Sequence, residues 1–118
     1  MEVTHMLKVR GTKITFNRGD DIFIKVDIYD SEGQTYTLRE GDKLFYSVKK
    51  KETDENYAIA PRELDRDVMH IAPEDTYDLA FGDYVYDVHM VTAEGRSSTI
   101  IKPSILTLEP AITAYGDR

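Results

Sequence analysis

Apolar and polar residues alternate with a period of two through most of this chain, the repeat of a half-buried strand rather than of a helix. Across residues 21–29, Ile22, Ile24, Val26 and Ile28 fall on one face. Asp21, Lys25 and Asp27 fall on the other, together with Phe23 and Tyr29. The same alternation runs through Lys43–Lys49, with Leu44, Tyr46 and Val48 opposite Phe45, and again after Gly82, where Tyr84, Tyr86, Val88 and Met90 share a face. Shorter strands are predicted at 12–16, 34–38, 57–60, 67–71, 97–101 and 104–108. Pro61 stops the strand at 57–60, and Lys102-Pro103 separates the last two, because proline cannot donate to a ladder.

Between these runs stand turn residues. Asp30-Ser31-Glu32-Gly33, Glu40-Gly41-Asp42 and Ala93-Glu94-Gly95-Arg96 combine a backbone-capping carboxylate with a glycine that accepts positive φ. Residues 49–56 are polar and mixed in sign, a solvated loop. Pro73-Glu74-Asp75-Thr76 reads as a single helical turn, with proline at its start and acids at its N-terminal end. No segment has a helical period, and there is no internal repeat or linker. The whole is one all-β domain over residues 7–113, flanked by residues 1–6 and a tail at 114–118. Residues 1–6 read equally as a leader left by cloning or as a native start. They lack the basic and apolar regions of a signal peptide.

The pattern of about seven to nine short strands calls for a sandwich or a barrel. One segment favours the sandwich. In immunoglobulin-like domains a tyrosine near the start of strand F bonds back to the backbone of the preceding corner. Tyr84 is placed for that role, two residues before Tyr86 and after a corner that contains Pro73, Asp75 and Gly82. Asp75 lies further upstream of Tyr84 than in antibody domains. The absence of cysteine and tryptophan excludes an antibody domain. The fold expected is an immunoglobulin-like antiparallel β-sandwich.

Composition narrows the function. With 118 residues and a formal charge of −7, the chain is poorly suited to meet nucleic-acid phosphates. No apolar run reaches the ~20 residues of a membrane helix. Zero cysteines exclude thiol catalysis and cysteine-ligated metal. His70 and His89 lie on different strands and could face each other across a sheet; two histidines alone fall short of a zinc set. Ser97 and Ser98 have no glycine elbow around them. Asp20/Asp21, Asp65/Asp67 and Glu74/Asp75 are paired acids that suit calcium better than glycosidic chemistry, yet no EF-hand spacing is present. Arg18-Gly19-Asp20 spells the integrin-binding tripeptide and also an ordinary turn. No catalytic, cofactor or metal residues are assigned. Among eight tyrosines, Tyr29, Tyr36, Tyr57, Tyr77 and Tyr115 fall at loops or strand ends; of these Tyr36, Tyr57 and Tyr77 are the candidate interface residues.

Three stretches carry a family resemblance. They are Lys13-Ile14-Thr15-Phe16-Asn17-Arg18-Gly19-Asp20-Asp21, then Gly41-Asp42-Lys43-Leu44-Phe45-Tyr46-Ser47-Val48-Lys49-Lys50, and last Ile71-Ala72-Pro73-Glu74-Asp75-Thr76 with Gly82-Asp83-Tyr84-Val85-Tyr86-Asp87-Val88. In these the chain resembles small virion structural proteins of phages and prophages of Gram-positive bacteria. It is similar to the N-terminal immunoglobulin-like domain of baseplate upper proteins. The resemblance implies a non-enzymatic tail, baseplate or head-associated protein, made in the bacterial cytoplasm and placed in the virion. It implies contacts with other virion proteins or with copies of itself, with no cofactor. Edge strands at 57–60 and 12–16 would be available for strand addition. The alternative is a surface-adhesion or carbohydrate-binding sandwich module, with or without calcium. An exposed aromatic platform beside polar side chains would favour it; tyrosines buried in the core would weigh against it.

Overall fold

The computed structural model describes residues 8–30 and 32–110, with the backbone alone for residues 8–10. Eight strands and one short helix follow in order: β1 (Lys8–Arg10), β2 (Lys13–Asn17), β3 (Ile22–Lys25), β4 (Lys43–Lys49), β5 (Ile59–Glu63), β6 (Val68–Ile71), α1 (Pro73–Thr76), β7 (Gly82–Val91) and β8 (Ser97–Glu109). The proposed leader, His5, Ser31, Tyr115 and the tail at 114–118 lie outside the described residues.

The strands form a six-stranded sheet in the order β1-β2-β8-β7-β4-β5 and a two-stranded sheet, β3-β6. Neighbours are antiparallel except β2 and β8, which run parallel with Ile14 opposite Leu106 and Phe16 opposite Leu108. The two sheets share one core. Ile22, Ile24, Met69 and Ile71 come from the small sheet. Phe16, Leu44, Tyr46, Val48, Tyr84, Tyr86, Val88, Leu106 and Leu108 come from the large one. The period-two faces read from the sequence are the faces that are buried: Ile22, Ile24, Val26 and Ile28 all point inward, although ladder pairing ends at Lys25.

Three buried tyrosines tie the core to the backbone. Tyr46 donates to the His70 carbonyl at 2.8 Å, from one sheet to the other. Tyr84 donates to Ala80 O at 2.8 Å, and Tyr86 donates to Thr12 O. A buried phenol must keep such a partner, since losing it leaves a polar group dry. Burial pushes the Tyr86 hydroxyl up to about 12, so all its work is as a neutral donor.

Four expectations need correction. The segment 34–38 is no strand; Thr35 makes a single bridge to Tyr29, and Asp30 closes the loop by accepting from Glu32 N and Gln34 N. Pro61 does not end a strand: β5 runs from Ile59 through it to Glu63. Nor does Lys102-Pro103 divide β8. In both places the pairing register shifts, between Tyr46 and Val48 on β4 and between Tyr86 and Val88 on β7. Each bulge takes the proline out of the ladder, where its missing N–H costs nothing. Finally, β2 is not an edge, for it is flanked by β1 and β8.

Candidate functional site

The N-terminal end of β7 is built around the Tyr84 hydroxyl bond to Ala80. Gly82, with φ of 121°, makes the bend between them, a backbone angle that side-chain-bearing residues avoid. Lys50 closes over this corner, its Nζ 4.4 Å from the centre of the Tyr84 ring and 3.0 Å from Asp83 O. Pro73 and Asp75 belong to a different construction. Pro73 opens α1. Asp75 takes a bidentate pair from Arg62 at 2.6 and 3.0 Å, and also accepts from Ala72 N at 2.7 Å. The guanidinium holds the Asp75 carboxyl below the usual carboxylate range. Arg62 reaches on to the Tyr46 hydroxyl at 3.4 Å, so this pair braces β5, α1 and the tyrosine that crosses to the small sheet.

The Arg18-Gly19-Asp20 turn faces inward. Arg18 Nη1 donates to Leu79 O, its guanidinium lies 4.3 Å over the Phe81 ring, and Gly19 N donates to Thr76 Oγ1 at 2.8 Å. A tripeptide held this way is a packing element rather than a projecting ligand. Asp20 Oδ2 has no hydrogen-bond partner, and its partial burial raises the carboxyl above its ordinary value.

His70 and His89 do not face each other. His89 is on β7 of the large sheet, beside Asp87 at 3.1 Å. His70 is on β6 of the small sheet, where its Nε2 is 2.6 Å from Asp21 Oδ1. Among the described residues no three His, Asp or Glu side chains converge to hold a metal ion. No helix among them is long and apolar enough to cross a membrane.

The three candidate interface tyrosines occupy separate places. Tyr36 is half-buried at the β4 start, donating to Asp42 Oδ2 at 2.7 Å. There Gly41 meets Ala93 so closely that an added Cβ would lie 2.6 Å from the alanine Cβ. Tyr77 is half-buried against Gly19. Tyr57 is exposed, with Lys49 Nζ 4.9 Å above its ring. Tyr36 also lines concavities of about 190 Å³ and 610 Å³. Tyr57 shares a concavity of about 140 Å³ with Ser47, Lys49, Val85, Asp87 and Pro103 on the outer side of the large sheet. Ile105, 37% exposed and paired with Val85, extends the apolar part.

Sequence reasoning missed one constellation. Phe23 and His70 are register partners across β3 and β6, and their rings stack at 4.2 Å, 1° from parallel. Phe23 was legible as outward-facing; its partner, 47 residues away in the chain, was not.

Comparison of the chain with protein-family profiles, with curated proteins and with solved structures gave no match.

Proposed function

We propose that this is an immunoglobulin-like β-sandwich and a non-enzymatic structural protein of a phage or prophage particle, working through protein–protein contacts in the tail, baseplate or head-associated assembly. The observation that carries the reading is the Tyr84–Ala80 corner at the start of a strand central to the six-stranded sheet, with the parallel pair of β2 and the last strand, β8, beside it. It supports the sandwich, while the virion role is taken from the resemblance carried by the three sequence stretches within residues 7–113.

The face offered for contact is the outer side of the large sheet. Tyr57, Val85, Pro103 and Ile105 supply apolar area, with Lys49 and Asp87 as a polar margin. Such a mixture suits a repeated contact in a symmetric ring, where modest sites gain from avidity. Strand addition is a weaker route. At the β5 edge Pro61 has no N–H to give, and charged Arg62 and Glu63 follow it.

The test is recovery of the chain from particles. Induction of a strain that carries the gene, purification of the particles and mass spectrometry should find it at a fixed ratio to the major tail or head protein. Its absence from intact particles overturns the reading. Light scattering of the pure protein, with and without calcium, then distinguishes a ring-former from a subunit that waits for a partner.

A further inference from the structure

The outward face of the small sheet carries an arrangement that assembly contacts on the large sheet leave unused. Along residues 21–29 the exposed positions read Asp21, Phe23, Lys25, Asp27, Tyr29. Phe23 is 48% exposed and Tyr29 is 61% exposed. One face of the Phe23 ring is covered by His70, so exposure of about half leaves the other face open. This separates it from the other aromatic rings near the surface. Phe81, Tyr36 and Tyr57 each carry a cation of the chain itself over the ring, Arg18, Arg39 and Lys49 respectively. Asp21 and His70 hold the stack in place through their 2.6 Å contact.

Beside residues 25–28, which join the two ring positions along the chain, lies a concavity of about 190 Å³ lined among others by Lys25, Asp27, Thr35, Tyr36, Arg66 and Asp67, and by neither ring. Its ionic groups balance, two cations against two carboxylates, and Thr35, Tyr36 and Thr37 add three hydroxyls. A site for an anion or a cation would show an excess of one sign. A balanced set of hydrogen-bonding groups beside two flat apolar platforms fits a neutral, hydroxyl-rich ligand with apolar C–H faces. The spacing sets its length. Six residues of extended chain, at about 3.3 Å each, put the rings roughly 20 Å apart, the reach of an oligosaccharide rather than of one sugar.

We infer that this row is a binding track for an extended, neutral polysaccharide, with Phe23 and Tyr29 each stacking under a sugar ring and the groove beside residues 25–28 hydrogen-bonding the intervening hydroxyls. The track is independent of the assembly reading, since it lies on the other sheet. The three buried tyrosines take no part, being engaged with backbone carbonyls; the platform is made by the outward aromatic residues of residues 21–29.

The probes are β-1,4-linked pentasaccharides of glucose, xylose and mannose, with the monosaccharides as controls, read by saturation-transfer NMR and by amide shifts of the labelled protein. At least one pentasaccharide should bind at least ~10-fold more tightly than its monosaccharide, with shifts confined to residues 21–29, 35–38 and 66–70. Phe23→Ala and Tyr29→Ala should each weaken it about 3- to 10-fold, and Tyr57→Ala should leave it unchanged. Both rings are exposed, and an unchanged amide spectrum outside the row shows that the variants fold. No binding of any pentasaccharide at about 10 mM, shifts mapping to the large sheet, or equal binding by both ring variants overturns the track while leaving the virion test untouched.

Discussion

The Tyr84 hydroxyl donates to the carbonyl of Ala80, four residues upstream, at 2.8 Å. That bond closes the corner before β7, the strand that pairs with both β4 and β8. The ring is buried in the core while the oxygen serves the backbone, so packing and hydrogen bond fix the same loop from two sides.

Tyr84→Phe keeps the ring and deletes the bond. A loss of about 0.5–1.5 kcal/mol in denaturant unfolding is expected, with an unchanged m-value. Tyr84→Ala removes the core ring as well and should cost about 3–5 kcal/mol. Equal stability of wild type and Tyr84→Phe would remove the corner bond from the account of the fold.

Asp75 gives the fold a defined acid limit. Its carboxyl lies below the ordinary range because Arg62 binds it, and its side chain is only 12% exposed. The folded value is thus lower than the unfolded one. The stability this pair adds is complete above the ordinary carboxylate value of about 4 and is lost as pH falls through the folded value. Asp75→Asn should lower stability at pH 7 by about 1–3 kcal/mol. The gap to wild type should close in acid, a trend that urea titrations at stepped pH would follow. A gap that stays constant down to the acid limit would refute the linkage.

Arg66 sits at φ of 57°, the one left-handed non-glycine among the described residues. It stands in the tight turn closed by the Asp65 and Val68 backbone bonds, at 2.9 and 3.1 Å, so the chain cannot relax it. Arg66→Gly relieves strain of about 1–2 kcal/mol and adds chain entropy to the unfolded state, leaving an expected net gain of about 0.5–1 kcal/mol. A thermal melt that moves down rather than up would disprove the balance.

What the sequence made legible was whatever depends on neighbours in the chain. The inward set Ile22, Ile24, Val26 and Ile28 follows from alternation alone, as do the bounds of β4 and β7. Tyr84 was recognisable because its partner is four residues away. Pro61 and Pro103 misled because a proline shows its missing N–H, while the extra residue that lets a bulge absorb it is a property of the pairing. The same limit hid the pairing of β2, predicted as a strand but taken for an edge, whose parallel partner β8 lies about ninety residues on, and the stack of Phe23 on His70. Pairings of that range leave no local pattern.

The parallel β2–β8 ladder also decides how the domain answers a pull. Tension entering through the chain before β2 and leaving through the chain after β8 draws these strands along their axes in opposite senses. Once β1 has peeled from its antiparallel partner, the bonds joining Ile14–Asn17 to Leu106–Glu109 are loaded together in shear rather than opened one at a time. Mechanical resistance along that direction is then set by the whole patch, with Phe16 and Leu108 packed beneath it.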